Sequence, residues 1–351
     1  MRHAPPRRTF RPHPRVTEAR LPHIAGTGRY LPERVLDNAA LAATAGVDDE
    51  WIVQRTGIRE RRIAAPGEGT AAMATRAAEC ALRDARTHAD EIDLIVVATS
   101  TPDHLTPPTA CEVQAALGAV GAVCFDLEAG FAGWIFALVT ADALLRGGVA
   151  RRALVIGAET LSTVTNRADP ATGPLFGDGA GAAVVEAGPG PLAISSTSWW
   201  ADGRLAGALV RPGGGARRPF DEHVLSEGAH LLRREGTRLF RQAVRTMAMQ
   251  ARVALDRAGV AAEDVALVVP HQANLRIIQA FAEELGLAPE RAFVNIERYG
   301  NTGAATVPIA LDEARQAGLV PEDRALLLVA FGAGATAGAA VLQAPSWQGR
   351  A

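Results

Sequence analysis

Short uninterrupted apolar runs alternate with longer stretches of Ala and Leu at helical spacing along most of this chain. DLIVVATST (93–101) and ALVIGAET (153–160) read as buried strands, because each is a short apolar run bounded by polar or turn residues. The stretches 69–88 and 132–147 carry Ala and Leu at helical spacing, and the second meets a stop at Gly147-Gly148. The same order returns further on: a helical stretch at 236–259, a strand ALVVP at 266–270, a helix from 274 to about 286, and the apolar run ALLLVAFG at 325–332.

The echo extends to local sequence. LFGDGAGAAVVEA (175–187) is similar to AFGAGATAGAAVLQA (330–344), and DLIVVATSTPD (93–103) is similar to DVALVVPHQAN (264–274), each pair holding the same place in its half. An ancestral duplication is expected, with its join near EAGPGPLA (186–193). The predicted organisation is an α/β protein of two halves, 22–189 and 190–351, behind an Arg- and Pro-rich arm over 1–21 that reads as flexible.

Composition agrees with this picture. The 351 residues are long for one core and suit a large pseudo-duplicated unit. Hydrophobic residues make up 48% but aromatics only 5%, as closely packed α/β layers of small side chains require. The formal charge is −2, which implies neither nucleic acid nor membrane as a partner. All 36 basic residues are Arg, so a Schiff-base lysine, a pyridoxal phosphate linkage and a P-loop lysine are excluded. Cys80, Cys111 and Cys124 have no metal or disulfide spacing, so no metal is expected and a reducing, cytoplasmic setting is. The arm has no apolar run for a signal-peptide core, and no stretch approaches the ~18 apolar residues of a membrane span.

The Gly-rich run GDGAGA (177–182) is not placed like a dinucleotide loop. It leads into a β-type sequence rather than a helix, and reads as small residues that let layers pack closely. His271 follows a strand and a proline, which puts an imidazole at a strand end, where open α/β folds form sites. Asn301 sits in the Gly-flanked turn Tyr299-Gly300-Asn301-Thr302-Gly303, where short residues permit close approach to a ligand. Taken singly, either residue is most often structural.

Together, PHQAN (270–274), YGNTGAA (299–305), WIVQRTGIRERR (51–62), LFGDGAGAA (175–183) and FGAGATAG (331–338) resemble the β-ketoacyl-ACP synthase III family of the thiolase superfamily, from about residue 22 to 345. The resemblance implies a thiolase-type fold of two pseudo-repeated halves in a five-layered αβαβα core, assembled as a homodimer. It also implies decarboxylative Claisen condensation in fatty-acid or polyketide biosynthesis, with acyl-CoA or acyl-ACP and malonyl-ACP as substrates, an acyl carrier protein as partner and no permanently bound cofactor. His271 and Asn301 match the family's donors to the malonyl thioester oxygen, where they stabilise the enolate formed by loss of CO2.

The family's nucleophilic Cys lies at the start of a buried helix, where the dipole favours a thiolate. The corresponding frame here is Ala129-Gly130-Phe131-Ala132-Gly133, which implies that Phe131 takes the nucleophile position and that no covalent acyl intermediate forms. Cys124, Cys111 and Glu128 are poor substitutes. The Phe131 N–H, with Gly332, Ala333 and Gly334, implies an oxyanion hole. By the same resemblance Trp51, Arg55 and Asn274 face CoA or pantetheine, Arg276 contacts the carrier protein, and Thr106 gates the pocket across the dimer; Pro170 replaces an arginine of the CoA wall. Other readings stay open. The chain is then a non-catalytic partner of an active, Cys-bearing ketosynthase, a decarboxylase, or a direct acyltransferase to a hydroxyl or amine with His271 as base.

Overall fold

A computed structural model describes residues 21–320 and 323–343. The arm expected over 1–21 lies outside the described residues, apart from the exposed Leu21. The first part of the chain forms β1 (His23–Tyr30), β2 (Arg34–Asp37), α1 (Asn38–Ala45), α2 (Asp49–Thr56), β3 (Glu60–Ile63), α3 (Thr70–Ala85), β4 (Leu94–Ala98), α4 (Thr109–Leu117), β5 (Val123–Leu127), α5 (Gly133–Arg146), β6 (Arg152–Thr160) and β7 (Asp178–Glu186). The remainder forms β8 (Ala193–Ala201), β9 (Leu209–Val210), α6 (Glu222–Ser226), β10 (Arg233–Arg234), α7 (Gly236–Ala258), β11 (Val265–Pro270), α8 (Leu275–Leu285), α9 (Ile296–Tyr299), α10 (Thr306–Gln316), β12 (Ala325–Gly332) and β13 (Thr336–Gln343). The strands and helices expected from apolar spacing fall at β4, β6, β11 and β12 and at α3, α5, α7 and α8, within a few residues of their predicted bounds.

The main sheet runs β11-β12-β13-β8-β1-β7-β6-β4-β5. β1 and β8 share a single residue pair, His23 with Ala193, so the sheet divides there into two groups. In the first, β1–β7 and β7–β6 are antiparallel while β6–β4 and β4–β5 are parallel. In the second, β8–β13 and β13–β12 are antiparallel while β12–β11 is parallel, and Ala292 adds a parallel bridge to Val268 where a fifth strand would lie. The runs that echo one another in sequence take matching places: β4 and β11 are fourth in their groups, β7 and β13 second.

Alternation along the strands explains why they read as continuous apolar runs. Leu94, Val96 and Ala98 join Trp134 and Leu138 of α5 in the central core, while Ile95 and Val97 join Met73 and Ala77 of α3 on the other face. Likewise Leu326 and Leu328 face the central core, and Leu327 and Val329 face Met247 of α7 and Phe281 of α8. α5 and α10 each touch strands of both groups and so form the middle layer. The result is the expected αβαβα stack. Among the described residues no helix is long and apolar enough to cross a membrane.

Small residues set the layer spacing. A Cβ at Gly28 of β1 would lie 2.3 Å from the Ala81 nitrogen of α3, and one at Gly181 of β7 would lie 2.6 Å from the Ile309 nitrogen of α10. The GDGAGA run therefore serves close packing inside β7. Gly28→Ala is expected to cost about 1–3 kcal/mol through forced overpacking, read as a lower urea midpoint at unchanged m-value.

Candidate active site

Four chain segments converge at one end of the sheets. The turn after β5 carries Phe131 just ahead of α5, and the end of β11 delivers His271. The loop between α9 and α10 holds Asn301, and β12 ends at Gly332, with Ala333 and Gly334 in the loop after it. Phe131, Phe176, His271, Asn301, Arg234 and Gly332 line a shared cavity of about 60 Å³.

His271 is buried, and its Nδ1 lies 2.6 Å from Thr306 Oγ1 at the start of α10. Thr306 Oγ1 also lies within donating distance of the Gly303 carbonyl, at 3.0 Å, which accepts the Thr306 backbone N–H as well. The hydroxyl proton has two acceptors, and when Nδ1 receives it the ring proton sits on Nε2. Among the described residues Nε2 has no partner, so that nitrogen is open to a ligand. Burial holds the imidazole neutral, with its pKa lowered from 6.5 to about 3.

Asn301 is fixed by its own loop. Its N–H donates to the Leu175 carbonyl, its carbonyl accepts from Gly177 N–H, and its Oδ1 accepts from Gly303 N–H at 2.9 Å. That last bond orients the carboxamide and leaves Nδ2 as a donor without a partner among the described residues. Beneath the loop, the fully buried Glu159 accepts from Thr101 Oγ1 at 2.6 Å, from Ser100 N–H at 3.2 Å and from Ala304 N–H at 3.4 Å. Desolvation outweighs these donors and pushes its carboxyl up to about 8.

Phe131 is packed as a core residue. Its ring meets Phe176 edge-on at 5.7 Å and lies 5.8 Å from the His271 ring. Ile52, Ile58, Leu161, Val164 and Leu175 complete its surroundings. Backbone approach here depends on glycine: a Cβ at Gly332 would lie 2.4 Å from the Phe131 nitrogen, and one at Gly130 would lie 2.4 Å from the Ala333 nitrogen. Gly130 also has φ +55°, which L side chains disfavour.

The other residues singled out by sequence sit further away. Glu128 Oε1 accepts from Gly130 N–H and Ser100 Oγ, both at 2.9 Å, and so braces the turn. Cys111 and Cys124 lie 3.5 Å apart, sulfur to sulfur, and burial first, then Cys111, pushes the Cys124 thiol up to about 11, away from the thiolate. Arg55 lies over the Trp51 ring at 4.6 Å, which occupies that ring face. Asn274 caps α8 by accepting from Arg276 N–H, and its Nδ2 donates to the Arg55 carbonyl at 2.8 Å, so both polar ends have partners within the chain. Arg276 is exposed on the first turn of α8. Thr106 and Pro170 are exposed, and neither borders the cavity within one chain.

Sequence reasoning missed Thr306, Glu159, Phe176 and Arg234. Thr306 opens α10 and would have been legible as a helix-start hydroxyl beside the Asn301 turn. Glu159 closes a strand that reads as apolar, and Arg234 lies in LLRREG among other arginines with nothing local to distinguish it.

Two family descriptions match the chain: 3-oxoacyl-[acyl-carrier-protein] synthase III over residues 125–203, and the C-terminal part of the same family over residues 255–344. A β-ketoacyl-[acyl-carrier-protein] synthase III of Caldanaerobacter subterraneus subsp. tengcongensis is 44% identical over 320 residues, covering 91% of this chain and 97% of that protein. The crystal structure of 3-oxoacyl-[acyl-carrier-protein] synthase III from Aquifex aeolicus superimposes with a TM-score of 0.84 at 45% identity, over 92% of this chain and 99% of the other. A priming β-ketosynthase from a polyketide biosynthetic pathway gives 0.87 at 37% identity, over 95% and 99%.

Phe131→Ala is expected to cost about 3–5 kcal/mol in a denaturant titration, as for a buried aromatic truncated in a packed core. The two shifted groups have opposite pH signatures. His271 contributes stability above 6.5 that is lost as pH falls toward about 3, because the unfolded chain takes up the proton first. Glu159 contributes stability below 4.5 that is lost as pH rises toward about 8, because the unfolded chain releases its proton first. Glu159→Gln should therefore gain thermal stability relative to the parent between about pH 4.5 and 8. A constant gap in melting temperature would show that Glu159 is ionised in the folded chain.

Proposed function

The chain belongs to the 3-oxoacyl-[acyl-carrier-protein] synthase III family, and from that premise we propose that it is a β-ketoacyl-ACP synthase III-type protein of fatty-acid or polyketide priming whose nucleophile position is taken by Phe131. The observation that carries this reading is the convergence of two side-chain nitrogens without partners among the described residues, His271 Nε2 and Asn301 Nδ2, on a cavity walled by Phe131 just ahead of α5. A thiol at position 131 would stand at a buried helix N-terminus, where the thiolate is favoured. A benzyl group accepts no acyl chain, so covalent transfer is lost.

The remaining chemistry is that of the malonyl half-reaction. Of the family's substrates, acyl-CoA or acyl-ACP and malonyl-ACP, this half-reaction uses malonyl-ACP alone, with no resident cofactor. Cleavage of the C–CO2 bond of a malonyl thioester sends its electron pair to the thioester oxygen, and the two donors stabilise the resulting enolate. A solvent-derived proton then yields the acetyl thioester. A neutral imidazole suits this role, since it donates one proton without placing a full charge in the cavity.

Two surface features bear on partners. β5 is a sheet edge carrying Val123 at 65% exposure, with Leu105 and Val120 also exposed nearby in sequence, which supports self-association along that edge. Exposed Arg276 supports docking of an acidic carrier protein.

Phe131→Cys incubated with acyl-CoA is expected to gain the mass of one acyl group and then to condense with malonyl-ACP, while the parent chain gains none. A folded Cys variant that never becomes acylated defeats the reading, as does acylation of the parent. His271→Ala and Asn301→Ala should each reduce acetyl-ACP formation from malonyl-ACP by about 10²–10³-fold.

A further inference from the structure

Arg234 borders the cavity and has no part in the chemistry above. It lies on β10 opposite Leu209 of β9. Alternation along that strand sends Arg233 outward, where its Nη2 donates to the Glu227 carbonyl at 3.0 Å, and turns Arg234 inward beside Leu209, Phe131, His271 and Asn301. The Arg234 Nε is sealed from solvent and has no acceptor. Among the described residues none accepts a hydrogen bond from this guanidinium or forms an ion pair with it.

The buried Arg61 and the half-buried Arg167 also each keep one sealed nitrogen without an acceptor, Nε and Nη2, but unlike Arg234 they have other donors that are met. Arg61 donates to the Leu36 carbonyl, the Asn38 Oδ1 and the Pro174 carbonyl, and Arg167 donates to the carbonyls of Gly173 and Phe176. Asp169 is the carboxylate whose charge reaches Arg234, but its oxygens already accept from Thr172 Oγ1 at 2.6 Å and Ala171 N–H at 3.0 Å. Arg234 is half-buried, and a guanidinium with a sealed Nε and no acceptor on any of its nitrogens is costly to leave unmet beside a cavity, which calls for a ligand.

We propose that Arg234 receives the free carboxylate of a short dicarboxylic acyl thioester, of the malonyl class, bound in this cavity. The proposal rests on the thioester reading of the site and adds the residue that selects the malonyl group. Guanidinium and carboxylate match as a bidentate pair. Arg234 shares the wall of one small cavity with His271 and Asn301, so a single short ligand can meet all three. The cavity of about 60 Å³ is well below the ~150 Å³ that admits benzene, which favours a short acyl group. The phosphate of a pantetheine arm lies at the other end of that arm from the thioester. An ion pair to the carboxylate is lost as CO2 departs, so Arg234 selects the substrate and does not drive its decarboxylation.

The test is the ratio of dissociation constants for acetyl-CoA and malonyl-CoA on the full chain, Arg234→Met and Arg234→Lys, with mass spectrometry confirming that the recovered ligand is still malonyl. The parent is expected to prefer malonyl-CoA by about 10–100-fold, as for a charge-assisted pair. The ratio should fall to about one in Arg234→Met, and Arg234→Lys should keep part of the preference. Equal binding by the parent, or an undiminished ratio in Arg234→Met, overturns the assignment and leaves the thioester reading standing. Failure of the parent to bind either ligand overturns both. An equal loss of both ligands in Arg234→Met places the side chain on the phosphates and overturns the carboxylate assignment. The acetyl and malonyl N-acetylcysteamine thioesters, which lack phosphate, repeat the comparison. If Arg234→Met does not fold, the parent ratio on these thioesters and the Lys variant still decide the matter.

Discussion

The site depends on backbone meeting backbone where a side chain would keep it apart. Gly332, from the second strand group, lies so close to the turn before α5 that a Cβ would come within 2.4 Å of the Phe131 nitrogen and 2.6 Å of the Ala132 nitrogen. Gly130 returns the approach toward Ala333, and Gly157 of β6 presses on the Ala304 carbonyl, where a Cβ would lie 2.4 Å away. These contacts bring the β5, β6, β12 and Asn301 segments to one point. A methyl group at any of them would push backbone against backbone, which cannot yield as a flexible side chain can. The donors at His271 and Asn301 can share a cavity because the layers holding them close at glycine.

The same closure fixes the electrostatics. With water excluded, His271 stays neutral far below its ordinary range, and Glu159 is shifted toward its neutral form although three donors face it. Burial thus acts on acid and base in the same sense, toward the uncharged state. Arg234 cannot follow, since a guanidinium keeps its proton even when desolvation lowers its pKa. The cavity wall therefore combines uncharged polar groups, His271 and Asn301, with one persistent cation among its described lining residues.

Most of the fold was legible because its layers are written in periodicity. β4 and β12 are buried on both faces and read as unbroken apolar runs, and α3 shows its packing side as Ala71, Ala74, Ala78 and Ala81. His271 and Asn301 were legible from strand-end and turn chemistry joined to the family resemblance. Arg234 was not, because its place at the cavity comes from a two-residue strand whose pairing with Leu209 is a tertiary accident of the chain path. Glu159 was hidden for a related reason: its burial follows from the Asn301 loop settling over it, more than a hundred residues away. The stacking of Arg55 on Trp51 and the engagement of Asn274 by Arg55 are likewise choices among partners that spacing alone leaves open.

Phe131 is best understood through its neighbours. A Cβ at Gly303 would stand 3.1 Å from the Phe131 ring edge, so the ring uses room that only glycine leaves. On its other sides it belongs to the same apolar cluster as Ile52, Ile58 and Leu161. An aromatic held this way is a working part of the core, and burial of its ring contributes on the order of 2–3 kcal/mol. It also keeps water from the His271 ring, which helps to sustain the neutral imidazole. A thiol at this position would stand at the start of α5 with the dipole in its favour, but in the void left by the ring and beside a wetter histidine. At position 131, then, capacity for covalent chemistry and stability of the surrounding core pull against each other.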